Sequence, residues 1–196
     1  MPFPQALSIP LVLPAMKTKP AHIHLKEDAT SRAHHSPIPV PLCWMEQIKS
    51  QLDSDVASGV LEKVPIGEAV NWCSRMIIVP KNGSPRRTID LQYLNSQCKR
   101  ETHHCKPPFV LACQIPPQTK KTIIDATDGD HSIELDVDSR PHTTFITPWG
   151  RYRYRRLPQG HLASGDAYTH RYDELIKDDQ SKVKCIDDVI LYDDDV

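Results

Sequence analysis

The chain has 196 residues, of which 39% are hydrophobic and 25% are charged, so it is long enough for one ordinary domain or two small lobes around a modest core. Its formal net charge of −1 gives the whole chain no electrostatic bias toward nucleic acid. The six cysteines include no C-x-x-C pair, and the one apolar opening, residues 5–16, is interrupted by prolines and too short to span a bilayer. These features disfavour a zinc ribbon, a disulfide framework and a membrane protein. Together with the absence of a signal-peptide pattern, they indicate a cytoplasmic or nuclear setting.

The N-terminal half begins with a proline-rich segment and continues with a helix and a hairpin. Each proline fixes φ and removes a backbone donor, so residues 1–30 are predicted to be a poorly structured extension. Apolar side chains at every fourth position predict a helix over Trp44–Gly59, with the glycine as its stop. The Asn82-Gly83 pair is a strong signal for the turn of an antiparallel hairpin. The predicted strands of this half are residues 60–64, 75–79 and 86–91.

The C-terminal half combines several short strands with one helix. Residues 99–121 are predicted to be a long connection marked by prolines. A helix is predicted from Gly160 to about Lys177, and its inward side chains would be Leu162, Tyr168, Tyr172, Leu175 and Ile176. The predicted strand-like segments are residues 121–126, 132–136, 143–147, 152–157, 183–186 and 189–192. Strands and helices in this order predict an α+β fold with an antiparallel sheet.

Arginines and tyrosines alternate between Arg151 and Arg156. Such a stripe is compatible with binding of a single nucleic-acid strand. Alternation along a strand also places Tyr152 and Tyr154 on one face and arginines on the other. We favour the second interpretation, a half-buried strand of a hairpin.

A pair of acids, Asp187-Asp188, lies between two predicted hydrophobic strands near the end of the chain. Asp125 ends another predicted strand and is the candidate for a third acid beside them. Two carboxylates about 4 Å apart repel by roughly 1 kcal/mol in water and about 4 kcal/mol at the effective dielectric of a protein surface. A divalent cation would offset that repulsion, and Mg²⁺ prefers oxygen ligands and phosphate-bearing substrates. An isolated Asp-Asp pair is more often a turn or a surface feature.

Several blocks of sequence occur in a fixed order over residues 17–193. They are Gly59–Glu62, Trp72–Lys81, Pro85–Asn95, Lys121–Ala126, Thr143–Tyr152, Arg156–Gly160 and Cys185–Asp188. In this order they resemble the reverse transcriptases of gypsy-type long-terminal-repeat retrotransposons and, through them, the retroviral enzymes. The resemblance implies an RNA-directed DNA polymerase that adds deoxynucleotides to a primer on an RNA or DNA template.

The resemblance also implies a two-metal site. Asp125, Asp187 and Asp188 would be the catalytic ligands of two Mg²⁺ ions, with the backbone of Ala126 nearby. In the polymerase mechanism two such ions align an attacking hydroxyl with a leaving pyrophosphate.

Four further residues match positions that approach the incoming deoxynucleoside triphosphate. They are Lys81 and Arg86, with Arg87 as an alternative to Arg86, and Gln159. Charge-assisted contacts from the hairpin would help to neutralise the leaving phosphates. Without the resemblance, Lys81 and Arg86 would be interpreted as exposed charge at a hairpin tip, and Gln159 as an ordinary loop amide.

The family organisation implies three segments in this chain. Residues 1–30 would be the extension, residues 31–106 a fingers-like region and residues 107–196 a partial palm that ends before the thumb. A longer polyprotein would supply the thumb and the ribonuclease H region, and we expect the isolated fragment to be weakly active or inactive.

Two acids depart from the family pattern. Asp130 stands where relatives have a large aromatic residue that checks the sugar of the incoming nucleotide, and Asp128 adds a second carboxylate. His161 replaces an aromatic residue after Gln159-Gly160, and Gln92 replaces an arginine. These departures leave two alternatives to an active polymerase, namely a non-catalytic module that binds nucleic acid and a decayed relic of a mobile element.

Overall fold

The computed structural model describes residues 14–103, 106–125, 128–177, 182–185 and 188–193, and for Asp125 the backbone alone. The α-helices are α1 (Met45–Ala57), α2 (Gln92–Gln97), α3 (Pro108–Ala112) and α4 (Ser164–Ile176). The strands are β1 (Leu61–Lys63), β2 (Ser74–Lys81), β3 (Ser84–Ile89), β4 (Lys120–Asp125), β5 (Phe145–Thr147), β6 (Gly150–Tyr154), β7 (Lys182–Cys185) and β8 (Asp188–Asp193). Short 3₁₀ turns cover Leu42–Trp44, Gly129–Ser132 and Arg140–Thr143.

The larger sheet has five strands in the order β1-β6-β5-β2-β3. Its neighbouring strands are antiparallel except for β2 and β5, which pair in parallel through Ser74 and Arg75. The β2–β3 hairpin turns at Asn82 and Gly83, whose φ angles of 51° and 79° lie in the left-handed region that such turns require. Asparagine and glycine adopt that region at low cost, so the hairpin forms where the sequence predicts it.

The smaller sheet has three strands in the order β4-β8-β7, and all of its pairs are antiparallel. Together with the four helices, these sheets confirm the predicted α+β class. The parallel β2–β5 pair is the one feature of the described sheets that the predicted antiparallel pattern did not include.

Within the described residues, two clusters of buried side chains form the core. One lies beneath the larger sheet, where α1 packs, and contains Ile48, Leu52, Val60, Leu61, Met76, Phe145, Tyr152 and Tyr154. The other joins the segment before α1 to α2 and α4, and contains Ala21, Ile23, Leu91, Leu94, Ile133, Leu135, Leu157 and Tyr168. The burial of both tyrosines of β6 agrees with a half-buried strand at residues 151–156.

The segment of residues 14–30 differs from the prediction of a poorly structured extension. Ala21 and Ile23 are almost fully buried, and the backbone N–H of Ala21 donates to the carbonyl of Glu134 at 2.7 Å. Leu25 forms a bridge with Cys98 on the other side. The prolines keep this segment extended, and an extended segment can pair with neighbouring backbone and bury alternate side chains. The division of the chain into three regions stays a prediction.

Two further predictions on helices need correction. Leu175, expected to face inward, is 53% exposed because the last turn of α4 extends beyond the tyrosines that pack on the core. The connection at residues 99–121 contains the short helix α3, which begins with a proline at its first position, where a missing N–H costs nothing. Within the described residues, no helix combines the length and the apolar character needed to cross a membrane.

Candidate active site

The smaller sheet brings two of the predicted acids to the same end. Asp125 is the last residue of β4 and Asp188 the first of β8, and the two are directly opposite in the antiparallel register. Cα atoms of opposite residues in such a pair lie about 4.5–5.5 Å apart. The Asp188 side chain is exposed. Asp187 and Ala126 lie outside the described residues, so their predicted roles stay predictions.

The chemistry of this donor set fits a magnesium ion. Carboxylate oxygens are the protein ligands that Mg²⁺ prefers, and the backbone register places two aspartates opposite each other at one end of the sheet. Among the described residues, no group of three or more histidine, cysteine, aspartate or glutamate side chains could hold a metal. The third predicted ligand, Asp187, and the side chain of Asp125 lie outside the described part of the chain.

A cavity of about 500 Å³ opens between α1, the β2–β3 hairpin and the turn at residues 128–131. All four predicted nucleotide-binding side chains line it, namely Lys81, Arg86, Arg87 and Gln159. Asp128, which also lines it, follows Asp125 by three residues, so their Cα atoms are within about 11 Å of each other. The cavity is therefore adjacent to the acidic end of the smaller sheet.

The register of the hairpin distinguishes Arg86 from Arg87. Val79 is opposite Arg86, and Lys81 is two residues beyond Val79, so Lys81 and Arg86 share the outer face of the sheet. Both side chains are exposed. Arg87 is opposite Ile78 and therefore lies on the inner face, toward α1.

Arg87 is already paired within the protein. Its guanidinium donates a hydrogen bond to the carboxylate of Asp55 on α1, and its side chain is 12% exposed. The phenol of Tyr154 is buried close by, and that burial raises its pKa to about 12. Arg87 thus joins α1 to the sheet, whereas Arg86 and Lys81 are the cations available to a ligand in the cavity.

The turn before Ile133 places one acid and one histidine on the cavity wall. Asp128 has a φ of 52°, and the Nε2 group of Gln159 donates to its Oδ1 at 3.2 Å. Burial lowers the pKa of His131, which presents a neutral imidazole at pH 7. Asp130, the other acid that departs from the family pattern, does not line the cavity in the described part of the chain.

The loop that carries Gln159 is held from both sides. The carbonyl of Gly160 accepts a hydrogen bond from the side-chain amide of Asn95 at 2.9 Å, and the Ser164 hydroxyl donates to the carbonyl of Pro158 at 2.7 Å. His161, which replaces an aromatic residue, is buried beneath the loop, and burial lowers its pKa to about 4. It therefore acts as a neutral ring in the core.

Helix α1 contributes three residues that sequence analysis did not assign to the site, namely Gln51, Ser54 and Asp55. Their spacing of three and four residues places them on one face of the helix. That polar stripe is visible in the sequence, but only the fold shows that it faces the hairpin.

The described part of the chain combines mixed sheets, an acidic strand end and a basic hairpin beside one cavity, and its fold is that of a reverse transcriptase. Two solved structures show this likeness. The foamy viral protease-reverse transcriptase in complex with an RNA/DNA hybrid matches with a TM-score of 0.82 and 20% identity, over 95% of this chain and 25% of that chain. The native prototype foamy virus protease-reverse transcriptase matches with a TM-score of 0.79 and 22% identity, over 94% and 24%.

The curated relatives include Pol polyproteins of retrotransposons. The retrovirus-related Pol polyprotein from transposon opus of Drosophila melanogaster is 26% identical over 166 residues, which are 80% of this chain and 16% of that polyprotein. The corresponding polyprotein from transposon 412 is 28% identical over 127 residues, covering 61% and 10%. No family model matches the chain. The predicted resemblance to reverse transcriptases of retrotransposons is confirmed, while the gypsy type in particular stays a prediction. The chain thus spans only a small part of the polyproteins that it resembles.

Proposed function

We propose that this chain is the nucleotide-adding part of an RNA-directed DNA polymerase. It would bind a primer on an RNA or DNA template and accept deoxynucleoside triphosphates in the cavity beside the β2–β3 hairpin. Support for nucleic acid as a partner comes from the solved neighbours, one of which was determined with an RNA/DNA hybrid. The two cations on the outer face of the hairpin add an independent physical reason.

The observation that carries the proposal is the proximity of a cavity lined by cations to a strand end that carries two aspartates. Asp125 and Asp188 are register partners at the end of the smaller sheet. Lys81 and Arg86 line a cavity whose wall includes Asp128, three residues after Asp125. A metal-bound triphosphate carries both charges, since its cation requires carboxylates and its phosphates require cationic donors.

Each group would have a separate role. Asp125, Asp187 and Asp188 would hold Mg²⁺, which when bound supplies charge neutralisation at the attacking and leaving oxygens. Lys81 and Arg86 would donate to the phosphates of the incoming nucleotide. Gln159 would contact the nucleotide from the opposite wall of the cavity, and its hydrogen bond to Asp128 holds the amide in place.

Primer extension with the complete 196-residue chain tests this proposal. Labelled primer on an RNA template is incubated with deoxynucleoside triphosphates and Mg²⁺, and product length is measured. Asp188→Asn removes one ligand charge, and Asp193→Asn makes the same change at the other end of β8. The parent chain, which we expect to be weakly active, and Asp193→Asn should extend the primer to the same degree, whereas Asp188→Asn should lose extension by at least about 100-fold.

Other outcomes would favour the alternative functions. Salt-dependent binding of an RNA–DNA duplex with no extension by the parent chain would overturn the proposal and support a non-catalytic module. A broad, non-cooperative thermal transition would support a relic without a stable native state. Equal extension by both aspartate variants would show that any observed activity does not come from this site.

A further inference from the structure

A second cavity, of about 230 Å³, lies at the opposite end of β2 from the hairpin turn. Its walls come from the segment before α1, from the start of β2 and from α2. The chemically relevant residues that line it are Arg32, His34, Trp72, Arg75, Asp90 and Tyr93. The catalytic proposal uses none of them.

Positive charge dominates this cavity. Arg32 and Arg75 both line it, and neither forms an ion pair within the described part of the chain. The pKa of His34 is lowered, first by burial and then by the positive charges of Arg75 and Arg32. Asp90 is the acid on the wall, and one of its oxygens accepts the backbone N–H of Gln92 at 3.1 Å.

The walls of the cavity are fixed by contacts that do not involve a ligand. The Tyr93 hydroxyl lies 2.9 Å from the Thr30 hydroxyl, and the guanidinium carbon of Arg32 lies 5.3 Å from the centre of the Tyr93 ring. Trp72 is 8% exposed, and its ring centre is 6.2 Å from that of Tyr93. Cation–π contact with the tyrosine holds the Arg32 guanidinium at the cavity without neutralising its charge.

Arg75 supplies an independent sign of a missing partner. Its Nε atom is buried and has no hydrogen-bond partner among the described residues. A buried donor on a charged group is costly when it is left unpaired, typically by about 1–3 kcal/mol or more. An acceptor in the cavity would remove that cost.

We propose that this cavity is a binding site for a phosphate group, held by Arg32 and Arg75 with His34 beside them. Guanidinium groups match the oxygens of phosphate in geometry and retain their charge at all relevant pH values. The volume corresponds to about eight water molecules at about 30 Å³ each. That space holds one phosphate with a few waters.

The phosphate could belong to a nucleic-acid strand or be free in solution, and the geometry favours the strand. Arg75 and Lys81 are six residues apart on β2, which places them on the same face of the sheet and about 20 Å apart. Arg86 shares that outer face through its partner Val79. A strand lying along this face would meet cations at both ends. The strand as the source rests on the proposed function, whereas the phosphate site itself does not.

Nuclear magnetic resonance of the complete chain tests the site without any polymerase assay. Two probes are titrated separately, inorganic phosphate and a 12-residue single-stranded oligodeoxynucleotide. The proposal predicts that the Nε–Hε signal of Arg75 and the ring signals of His34 shift with saturation, and that the pKa of His34 rises because a bound anion offsets the neighbouring arginines. No shift at these signals with either probe would overturn the proposal.

Substitutions of single arginines distinguish binding at this site from nonspecific attraction to surface charge. Arg75→Gln is expected to weaken binding about tenfold, and to reduce the salt slope of oligonucleotide binding by about 0.7 if a strand phosphate is lost. Arg155→Gln makes the same change at an exposed arginine whose ion-pair partner, Glu62, is 3.8 Å away, and should leave binding unchanged. Arg75→Lys keeps the charge and should retain part of the affinity, which guards against a folding defect in Arg75→Gln.

The pattern of responses identifies the source of the phosphate. Saturable shifts with the oligonucleotide support a strand, and shifts with inorganic phosphate alone support a free anion in the same site. Equal weakening by Arg75→Gln and Arg155→Gln would mean nonspecific attraction and would overturn the proposal. Binding at this site together with failed primer extension would leave the phosphate site standing while the catalytic proposal fails.

Discussion

Substitution of Gly129 by alanine would place a methyl group against the ring of a buried tyrosine. A Cβ atom built at Gly129 would lie 2.7 Å from Cζ and 2.8 Å from Cε2 of Tyr168. Tyr168 is 2% exposed, and its ring is stacked on Tyr172 with a centre-to-centre distance of 5.6 Å. Because the ring is buried and stacked, either the turn or the helix α4 is expected to shift to admit the methyl group.

The expected cost follows from overpacking alone. Gly129 has no left-handed φ, so alanine fits its backbone conformation and adds no strain of its own. Overpacking of a filled core typically costs about 1–3 kcal/mol. For a chain of this length, about 2 kcal/mol corresponds to a fall in Tm of about 4–8 °C.

Urea unfolding followed by tryptophan fluorescence measures this loss. Gly165→Ala is the matched control, because a Cβ there meets no atom within 4 Å. Gly165 lies in α4, where alanine is the better helix former, so the control should be neutral or stabilising by up to about 1 kcal/mol.

Repeating the Gly129→Ala substitution in a chain that lacks the Tyr168 ring makes the test of the steric argument more specific. In a Tyr168→Leu chain the ring atoms that meet the new methyl group are gone, so Gly129→Ala should then cost less than about 0.5 kcal/mol. An equal loss in both backgrounds would refute the steric argument. It would show that the glycine is required for the conformation of the turn instead.

Two further predictions concern the hairpin and the buried histidine. Arg87→Ala should destabilise the chain by about 2–3 kcal/mol, because it leaves the half-buried Asp55 carboxylate unpaired. Arg86→Ala, at an exposed position, should change stability by less than about 0.5 kcal/mol. Urea unfolding of both variants measures the two losses, and a larger loss in Arg86→Ala would contradict the assignment of the two faces. His161 has a folded-state pKa of about 4 against 6.5 for an ordinary histidine, so its contribution to stability is complete above pH 6.5 and is lost as pH falls toward 4, by up to about 3 kcal/mol. His161→Phe should therefore flatten the pH dependence of the free energy of unfolding between pH 7 and 5, and an unchanged slope would show that the imidazole is not kept neutral in the folded chain.

Local sequence signals predicted the elements that depend on neighbouring residues. The fourfold apolar spacing from Trp44 located α1, and the Asn82-Gly83 pair located the hairpin turn. Helix α2 was not predicted, because its six residues are too few to show a helical period. The burial of Ala21 and Ile23 was missed as well, since their partners lie more than a hundred residues later in the chain.

The candidate site likewise combines features that the sequence predicted with features that only the fold shows. The resemblance identified four candidate nucleotide-binding residues, and the fold brings all of them to one cavity. They are Lys81, Arg86, Arg87 and Gln159. The choice between Arg86 and Arg87 required the strand register and the position of α1, because adjacent residues of a strand face opposite sides. No local pattern encodes which side faces a helix 30 residues earlier.

The strand order of the larger sheet has a consequence for the synthesis of the chain on the ribosome. The β2–β3 hairpin can form as soon as it emerges, but Leu61 of β1 must wait for its partner Tyr154. At about 5–20 residues per second, that wait is on the order of 5–20 s. During this time Val60 and Leu61, which end almost fully buried, are exposed to water and to other nascent chains. Until Tyr154 has emerged, these exposed side chains are therefore sites at which the growing polypeptide can aggregate or bind a chaperone.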